Sequence, residues 1–312
     1  MLAPRHPRPW KQAWHDALYG PSGFFLRSVP ADHFRTNVAV PLFATAVRRL
    51  AERVDAALGF PDPFDVVDVG AGRGELLLAL GDVPARWRLT GVDLADADLP
   101  FRWMHEIPLL TGLLVGNEWL DNVPLEVVQD GRLVLVDPQG GESTGPAAGD
   151  AARHWCDNWW PAPEGQSAEA RPSHRVEVGL DRDLAWAHAV ARVDRGLAVA
   201  IDYGHVIADR RPSLTGYLQG RQVSPMPDGS RDLTAHVALD SCAAMTGARL
   251  LTQREALHAL GISAALPDPT DPAYALLLEQ ASQARELLDP CGLGGFGWLV
   301  QTVGLDVGLM PW

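Results

Sequence analysis

The sequence predicts an α/β fold: a doubly wound, mostly parallel sheet with helices on both faces. Two observations predict it. Four short apolar runs, Phe64–Val69, Arg88–Val92, Leu113–Val115 and Leu197–Ile201, each followed by Gly or Asp, read as strands buried on both faces, because such strands are continuously apolar. Between them lie segments of helical period, so strand and helix alternate as in βαβ crossovers.

Taken in order, Met1–Lys11 is Pro- and Arg-rich with no apolar run behind it, so it does not read as a secretion signal, and no apolar stretch reaches the ~20 residues of a membrane span. Leu42–Leu58 sets Phe43, Ala46, Val47, Leu50, Val54 and Leu58 on one helical face and Arg48, Arg49, Glu52 and Asp55 on the other. Glu75–Leu80 and Asp183–Val193 read as further helices. Leu125–Val128 and Arg132–Val136 flank Asp130-Gly131, a dipeptide that supplies the positive φ of a hairpin turn. Pro138–Pro172 reads as a Gly/Pro/Ala/Ser-rich loop whose Trp155, Trp159 and Trp160 pack part of it down. Ile207–Asp232 has no clear period, and long irregular segments often serve as lids or binding loops. The expected organisation is an amino-terminal substrate or lid segment, 1–40, then one domain, 41–312, with insertions at about 125–175 and 205–237.

Composition narrows the function. The 312 residues carry a formal charge of −13 and are 47% hydrophobic, enough for a packed core and unsuited to a main task of neutralising nucleic-acid phosphates or an anionic membrane. We therefore expect neither partner. Cys156, Cys242 and Cys291 are widely separated, which offers neither a disulfide framework nor a metal-ligand spacing and suits a reducing compartment. A cytoplasmic protein without a metal is the expectation.

The chemistry concentrates in Val66-Val67-Asp68-Val69-Gly70-Ala71-Gly72-Arg73-Gly74-Glu75. A strand ends, three glycines alternate with other residues, and a helix begins. Glycines there let backbone approach a ligand and adopt positive φ. Asp93 follows the next strand, where a carboxylate can accept both hydroxyls of an adenosine ribose. A dinucleotide fold wants G-x-G-x-x-G, but here the last glycine position is Glu75. Asp68 suits an ammonium group and is unhelpful beside a pyrophosphate. Together these favour S-adenosyl-L-methionine, which carries a sulfonium, an amine and a ribose without phosphate, over a nicotinamide cofactor.

At this point the sequence resembles the class I S-adenosylmethionine-dependent methyltransferases, and more narrowly the MidA-like family, whose mitochondrial members are protein-arginine methyltransferases of complex I assembly. The resemblance is carried by Leu18-Tyr19-Gly20-Pro21-Ser22-Gly23-Phe24-Phe25, by His33-Phe34-Arg35-Thr36-Asn37 with Pro41-Leu42-Phe43, by Asn117-Glu118-Trp119-Leu120-Asp121-Asn122-Val123-Pro124, by Ile201-Asp202-Tyr203-Gly204, and by Asp232-Leu233-Thr234-Ala235-His236-Val237. It runs in order from about residue 17 to 240. Departures are Asp68 where the family has Glu, Asp32-His33 where it has Gly-Asp, and Val38 where an acid is usual.

The resemblance implies a Rossmann-like methyltransferase whose partner is a protein presenting arginine. Glu118 is the candidate to grip a guanidinium bidentately. Asp121 or Asn117 could orient the methionine part of the cofactor, or cap the following helix. His236, assisted by Asp232, is a candidate base, since imidazole titrates near neutrality, or a structural histidine. Asp202 and Tyr203 could line the acceptor pocket, Tyr19, Phe24 and Phe25 form a lid or ordinary core, and Trp103 lie beside adenine. The cofactor set is Asp68, Gly70, Gly72, Gly74, Asp93 and Asn117. Small-molecule O- or N-methylation and a non-catalytic assembly role are the alternatives.

Overall fold

The computed structural model of the chain describes residues 6–26, 36–162, 174–306, 308 and 312. His33, Phe34 and Arg35 lie outside these residues, as do positions 163–172 of the glycine- and proline-rich stretch. Where the sequence predicts one domain with appendages, the contacts divide the chain into two compact units. The first comprises Arg35–Trp119, Trp186–Tyr203 and Thr246–Trp312; the second collects the amino-terminal segment Met1–Phe34 with Leu120–Ala185 and Gly204–Met245.

The first unit is built on a seven-stranded sheet. In spatial order its strands are Arg249–Thr252, Gly297–Val303, Val193–Asp202, Leu110–Asn117, Phe64–Val69, Trp87–Val92 and Arg102–Met104. Neighbours from Val193–Asp202 to Arg102–Met104 are parallel, whereas Gly297–Val303 runs antiparallel to both of its own. Strand order reverses between Phe64–Val69 and Leu110–Asn117. Open α/β sheets bind ligands at such a reversal, beyond the carboxyl ends of the strands.

All six residues of Phe64–Val69 are buried, which is why the run reads as continuous rather than alternating. The two acids within it need separate accommodation. Asp65 receives Arg88 Nε at 2.6 Å and Nη2 at 3.0 Å; Asp68 belongs to the site below. The helix Pro41–Ala57 starts on a proline, whose missing N–H costs nothing at a first helical position. It buries Phe43, Val47, Leu50 and Val54 in a core shared with Val66, Leu113, Leu197 and Trp298. Asp55, expected on its solvent face, is buried instead, because Arg86 and the Trp87 indole (2.9 Å) both donate to its carboxylate.

The second unit has its own cores. Arg8–Pro9, Arg132–Val136, Glu126–Gln129 and Arg175–Val178 form an antiparallel sheet in that order, with Glu142–Ala147 paired to Arg132–Val136. The helix Trp10–Tyr19 buries Trp10, Trp14 and Leu18 with Val127, Val134 and Leu233. Phe24 joins this core, and Tyr19 Oη donates to the Asn122 carbonyl at 3.0 Å. The predicted hairpin turn is present, with φ of 51° at Asp130 and 77° at Gly131.

Two expectations of loop change. Glu142–Ala147 is a strand and Asp150–Trp159 a helix; Trp155 and Trp160 give this segment an apolar side that packs on Val128, Val176 and Val178. Within 207–232, Thr215–Leu218 pairs with Arg221–Val223 and with Asp232–Thr234. Strands of three or four residues are too short to display a period. Among the described residues no helix is long and apolar enough to cross a membrane.

Candidate functional site

The first unit holds the glycine loop at the sheet's reversal. Gly70, Gly72 and Gly74 all have positive φ, 72°, 58° and 76°, so three left-handed residues carry the chain from strand to helix. Packing enforces two of them as well. A Cβ on Gly70 would lie 3.0 Å from the Trp119 ring, and one on Gly74 would lie 2.6 Å from Leu99 and 2.7 Å from Phe101. At Gly72 the nearest atom is the Glu75 carboxylate at 3.3 Å, a tight contact with the end of a side chain, so of the three Gly72 is the least hemmed in.

Carboxylates surround this loop. Asp93 Oδ2 accepts the Gly72 N–H at 2.9 Å and Oδ1 the Ala95 N–H at 3.0 Å. A carboxylate has four lone pairs, so these bonds leave it able to accept from a ribose hydroxyl as well. Glu75 accepts the Arg73 N–H at 2.9 Å and so stiffens the turn from the position where a dinucleotide site wants glycine. Burial raises the Asp68 carboxyl well above its ordinary range, and the charges of Asp93 and Glu75 push it further. Burial also raises Asp93, against the backbone hydrogen bonds that lower it. An acidic surround of this kind fits a cationic ligand and repels a pyrophosphate. The donor set therefore fits S-adenosylmethionine, with Asp68 suited to its ammonium group and Asp93 to its ribose.

Across the reversal, Leu110–Asn117 delivers Asn117 and Glu118. Glu118 has φ of 52°, a left-handed conformation that costs a residue with a side chain about 1–2 kcal/mol. Its N–H donates to the Ile201 carbonyl at 2.8 Å. Glu118 Oε1 accepts the Asn37 backbone N–H at 2.8 Å and Asn117 Nδ2 at 3.1 Å. Asn37 Nδ2 donates to Asn117 Oδ1 at 3.0 Å, and Gln253 Nε2 donates to Asn37 Oδ1 at 2.8 Å. Sequence reasoning missed both Asn37 and Gln253. Asn37 stands inside a stretch that carries the resemblance; for Gln253 the only signal is the Thr252–Glu255 capping box, which marks a helix start and says nothing of its second residue.

Trp103, expected beside adenine, packs its ring on Gly91 and donates Nε1 to the Ala95 carbonyl at 2.8 Å. It thereby pins the turn that follows Asp93. Tyr203 packs edge-on against Phe296, with ring centroids 5.5 Å apart, and Asp202 is buried at its strand end.

The second unit holds Asp121 and His236. Asp121 is buried in the turn Leu120–Asn122 and accepts Thr234 Oγ1 at 2.8 Å and Asn122 Nδ2 at 2.9 Å. Its carbonyl accepts from Arg182, a fully buried cation that also donates to the carbonyls of Val123, Ala235 and His236. One arginine thus ties the two motif segments together. His236 is half-buried, its N–H donates to Ser213 Oγ at 2.9 Å, and its ring meets that of His205 at 5.9 Å. Burial, then the Arg211 and Arg182 charges, lower the His236 imidazole below its ordinary value. His205 is driven down to about 3, by burial first and Arg210 next. Both rings are neutral at pH 7. Asp232, expected to assist His236, is buried in the strand Asp232–Thr234. The cofactor set and Glu118 thus belong to the first unit, Asp121 and His236 to the second.

A family model described as "Putative S-adenosyl-L-methionine-dependent methyltransferase" matches residues 86–255. A "likely methyl transferase" from Burkholderia thailandensis, crystallised with S-adenosyl-homocysteine, superposes with a TM-score of 0.71 at 22% identity, over 96% of this chain and 89% of its own. A native crystal structure of an uncharacterized protein from the same organism gives 0.71 at 22% identity, over 98% and 90%. Both share the fold. No curated protein matches the sequence.

Proposed function

The chain belongs to a family of S-adenosyl-L-methionine-dependent methyltransferases, whose model covers more than half of it, and on that premise we propose that it methylates an arginine nitrogen of a protein substrate. When bound, the cofactor supplies an electrophilic methyl group on a sulfonium. The chain's own residues must hold the acceptor nitrogen in line with that methyl group and manage the acceptor's charge. Glu118 is the observation that supports arginine. It follows the strand beside the reversal, with Oε1 anchored by Asn37 and Asn117. A carboxylate fixed at this place can accept from a guanidinium, draw the positive charge towards that contact and leave the far nitrogen more nucleophilic. In this reading Asn117 orients the methionine part of the cofactor.

The charge of −13 suits an arginine-bearing protein acceptor, and the reading places the enzyme in the cytoplasm, as its scattered cysteines suggest. A second reading is O- or N-methylation of a small molecule, whose acceptor must lose a proton to a base. Labelled methyl transfer into a lysate of the source cell, resolved by protein size and amino-acid analysis, separates the two. Methylarginine in protein is the expected product; label confined to small molecules overturns the arginine assignment. Cofactor binding without any transfer would point instead to a non-catalytic assembly role. Glu118→Gln should lower turnover by about 100-fold while S-adenosylmethionine binding stays within about twofold of wild type. Unchanged turnover in that variant would remove Glu118 from the mechanism.

A further inference from the structure

The geometry points to Asn37 as a positioning residue that sets the Asn117 amide and the Glu118 carboxylate, with Gln253 holding Asn37 in turn. The inference rests on Asn117 as a cofactor contact. Four buried side chains form one line of hydrogen bonds ending at Glu118. Trp298 Nε1 donates to Gln253 Oε1 at 3.2 Å, Gln253 Nε2 to Asn37 Oδ1 at 2.8 Å, Asn37 Nδ2 to Asn117 Oδ1 at 3.0 Å, and Asn117 Nδ2 to Glu118 Oε1 at 3.1 Å. Trp298, Gln253 and Asn37 are fully buried, and Asn117 nearly so.

The direction of this line is dictated by its ends. An indole nitrogen only donates and an ionised carboxylate only accepts, whereas an amide presents either face. Three amides between such ends have one arrangement in which every contact pairs a donor with an acceptor. If any one of them turned over, two oxygens or two NH2 groups would meet in a buried place, where an unmatched polar contact is costly. The indole on the antiparallel strand Gly297–Val303 therefore decides which face Asn117 shows at the reversal of the sheet. A second tie reinforces this, since the Asn37 backbone N–H holds the same Glu118 oxygen. Gln253 is itself located by its position at the start of the helix Gln253–Ala259 and by a further bond to the Leu287 carbonyl at 3.3 Å.

Calorimetric titration of the full chain with S-adenosylmethionine tests the relay, with thermal melting measured alongside. Asn37→Ala should weaken binding by about tenfold. Gln253→Met, which keeps the shape and removes the polar ends, should weaken it by about threefold. The double variant should bind no more weakly than Asn37→Ala alone, because Gln253 acts only through Asn37. Asn37→Asp should cost more affinity than Asn37→Ala. It keeps the acceptor for Gln253 but forces Asn117 to turn and present oxygen to Glu118, a polarity effect that a packing role would not produce. Affinity within about twofold of wild type in Asn37→Ala, or losses that multiply in the double variant, would overturn the relay. Should Asn37→Ala fail to fold, unchanged affinity in Gln253→Met overturns it equally. A wild-type chain that does not bind the cofactor would overturn the premise as well, whereas normal wild-type binding with these failures overturns the relay alone.

Discussion

Asp68, whose carboxylate suits the cofactor's ammonium group, also bears on stability. Its native carboxyl is held above the ordinary value of 3.8, by burial first and by Asp93 and Glu75 after it. A group with a raised native pKa binds its proton more tightly in the folded than in the unfolded chain. The cofactor-free protein therefore loses stability as pH climbs from near 3.8 towards that native value, and the loss persists above it. Asp68→Asn removes the penalty. Without cofactor at neutral pH its melting temperature should rise by about 2–4 °C and its acid-side pH slope flatten, while S-adenosylmethionine affinity falls by about tenfold. A variant that melts below wild type at neutral pH would refute this account. Gly74→Ala acts through geometry, because the new Cβ meets Leu99 and Phe101 at a φ of 76°; calorimetry and melting should show weaker cofactor binding and a stability loss of about 2 kcal/mol. Asp68, the three glycines and Asp93 are legible in the sequence because they lie within one βαβ unit. Asn37 and Gln253 are not, since the bond that joins them spans 216 positions and leaves no local pattern.

At the scale of the element, legibility follows length and burial. Four of the five parallel strands are found because burial makes them continuous apolar runs. Leu110–Asn117 is longer than its apolar stretch Leu113–Val115 because Gly112 and Gly116 pair within the ladder while adding no apolar side chain. Arg102–Met104 is short and only half-buried, and shows no pattern at all. The hairpin is legible through its turn alone. There, Gly131→Ala adds a Cβ that meets nothing within 4 Å, so the backbone conformation is its whole effect. We expect urea melts to show a loss of about 1 kcal/mol with cofactor binding unchanged. A larger loss would mean that the turn supports more than its own two strands.

At the scale of the molecule, the sequence presents the amino-terminal segment and the two insertions as separate appendages. They share cores instead: Trp10 and Trp14 from the first, Val127 and Val134 from the second and Leu233 from the third are buried together. Apolar residues scattered over some 220 positions show no grouping until the chain has folded. The net charge of −13 also acts at this scale. If the acceptor is a basic protein, initial rates of methyl transfer should fall several-fold as the Debye length shortens from ~10 Å at 0.1 M salt to ~3 Å at 1 M, with S-adenosylmethionine affinity much less affected. Rates indifferent to salt would argue against a basic partner. The place of Gly297–Val303 governs a different matter, the order of assembly during synthesis. This late strand lies between Val193–Asp202 and Arg249–Thr252 rather than at an edge, so while the chain emerges from the ribosome the Arg249–Thr252 strand has no neighbour to join. The sheet can close only when Gly297–Val303 is out, and it is this closing strand that brings Trp298. A chain cut before Gly297 would therefore hold the glycine loop but lack the Trp298 indole that donates to Gln253, and on the proposed relay it should bind the cofactor more weakly than the chain that carries this strand.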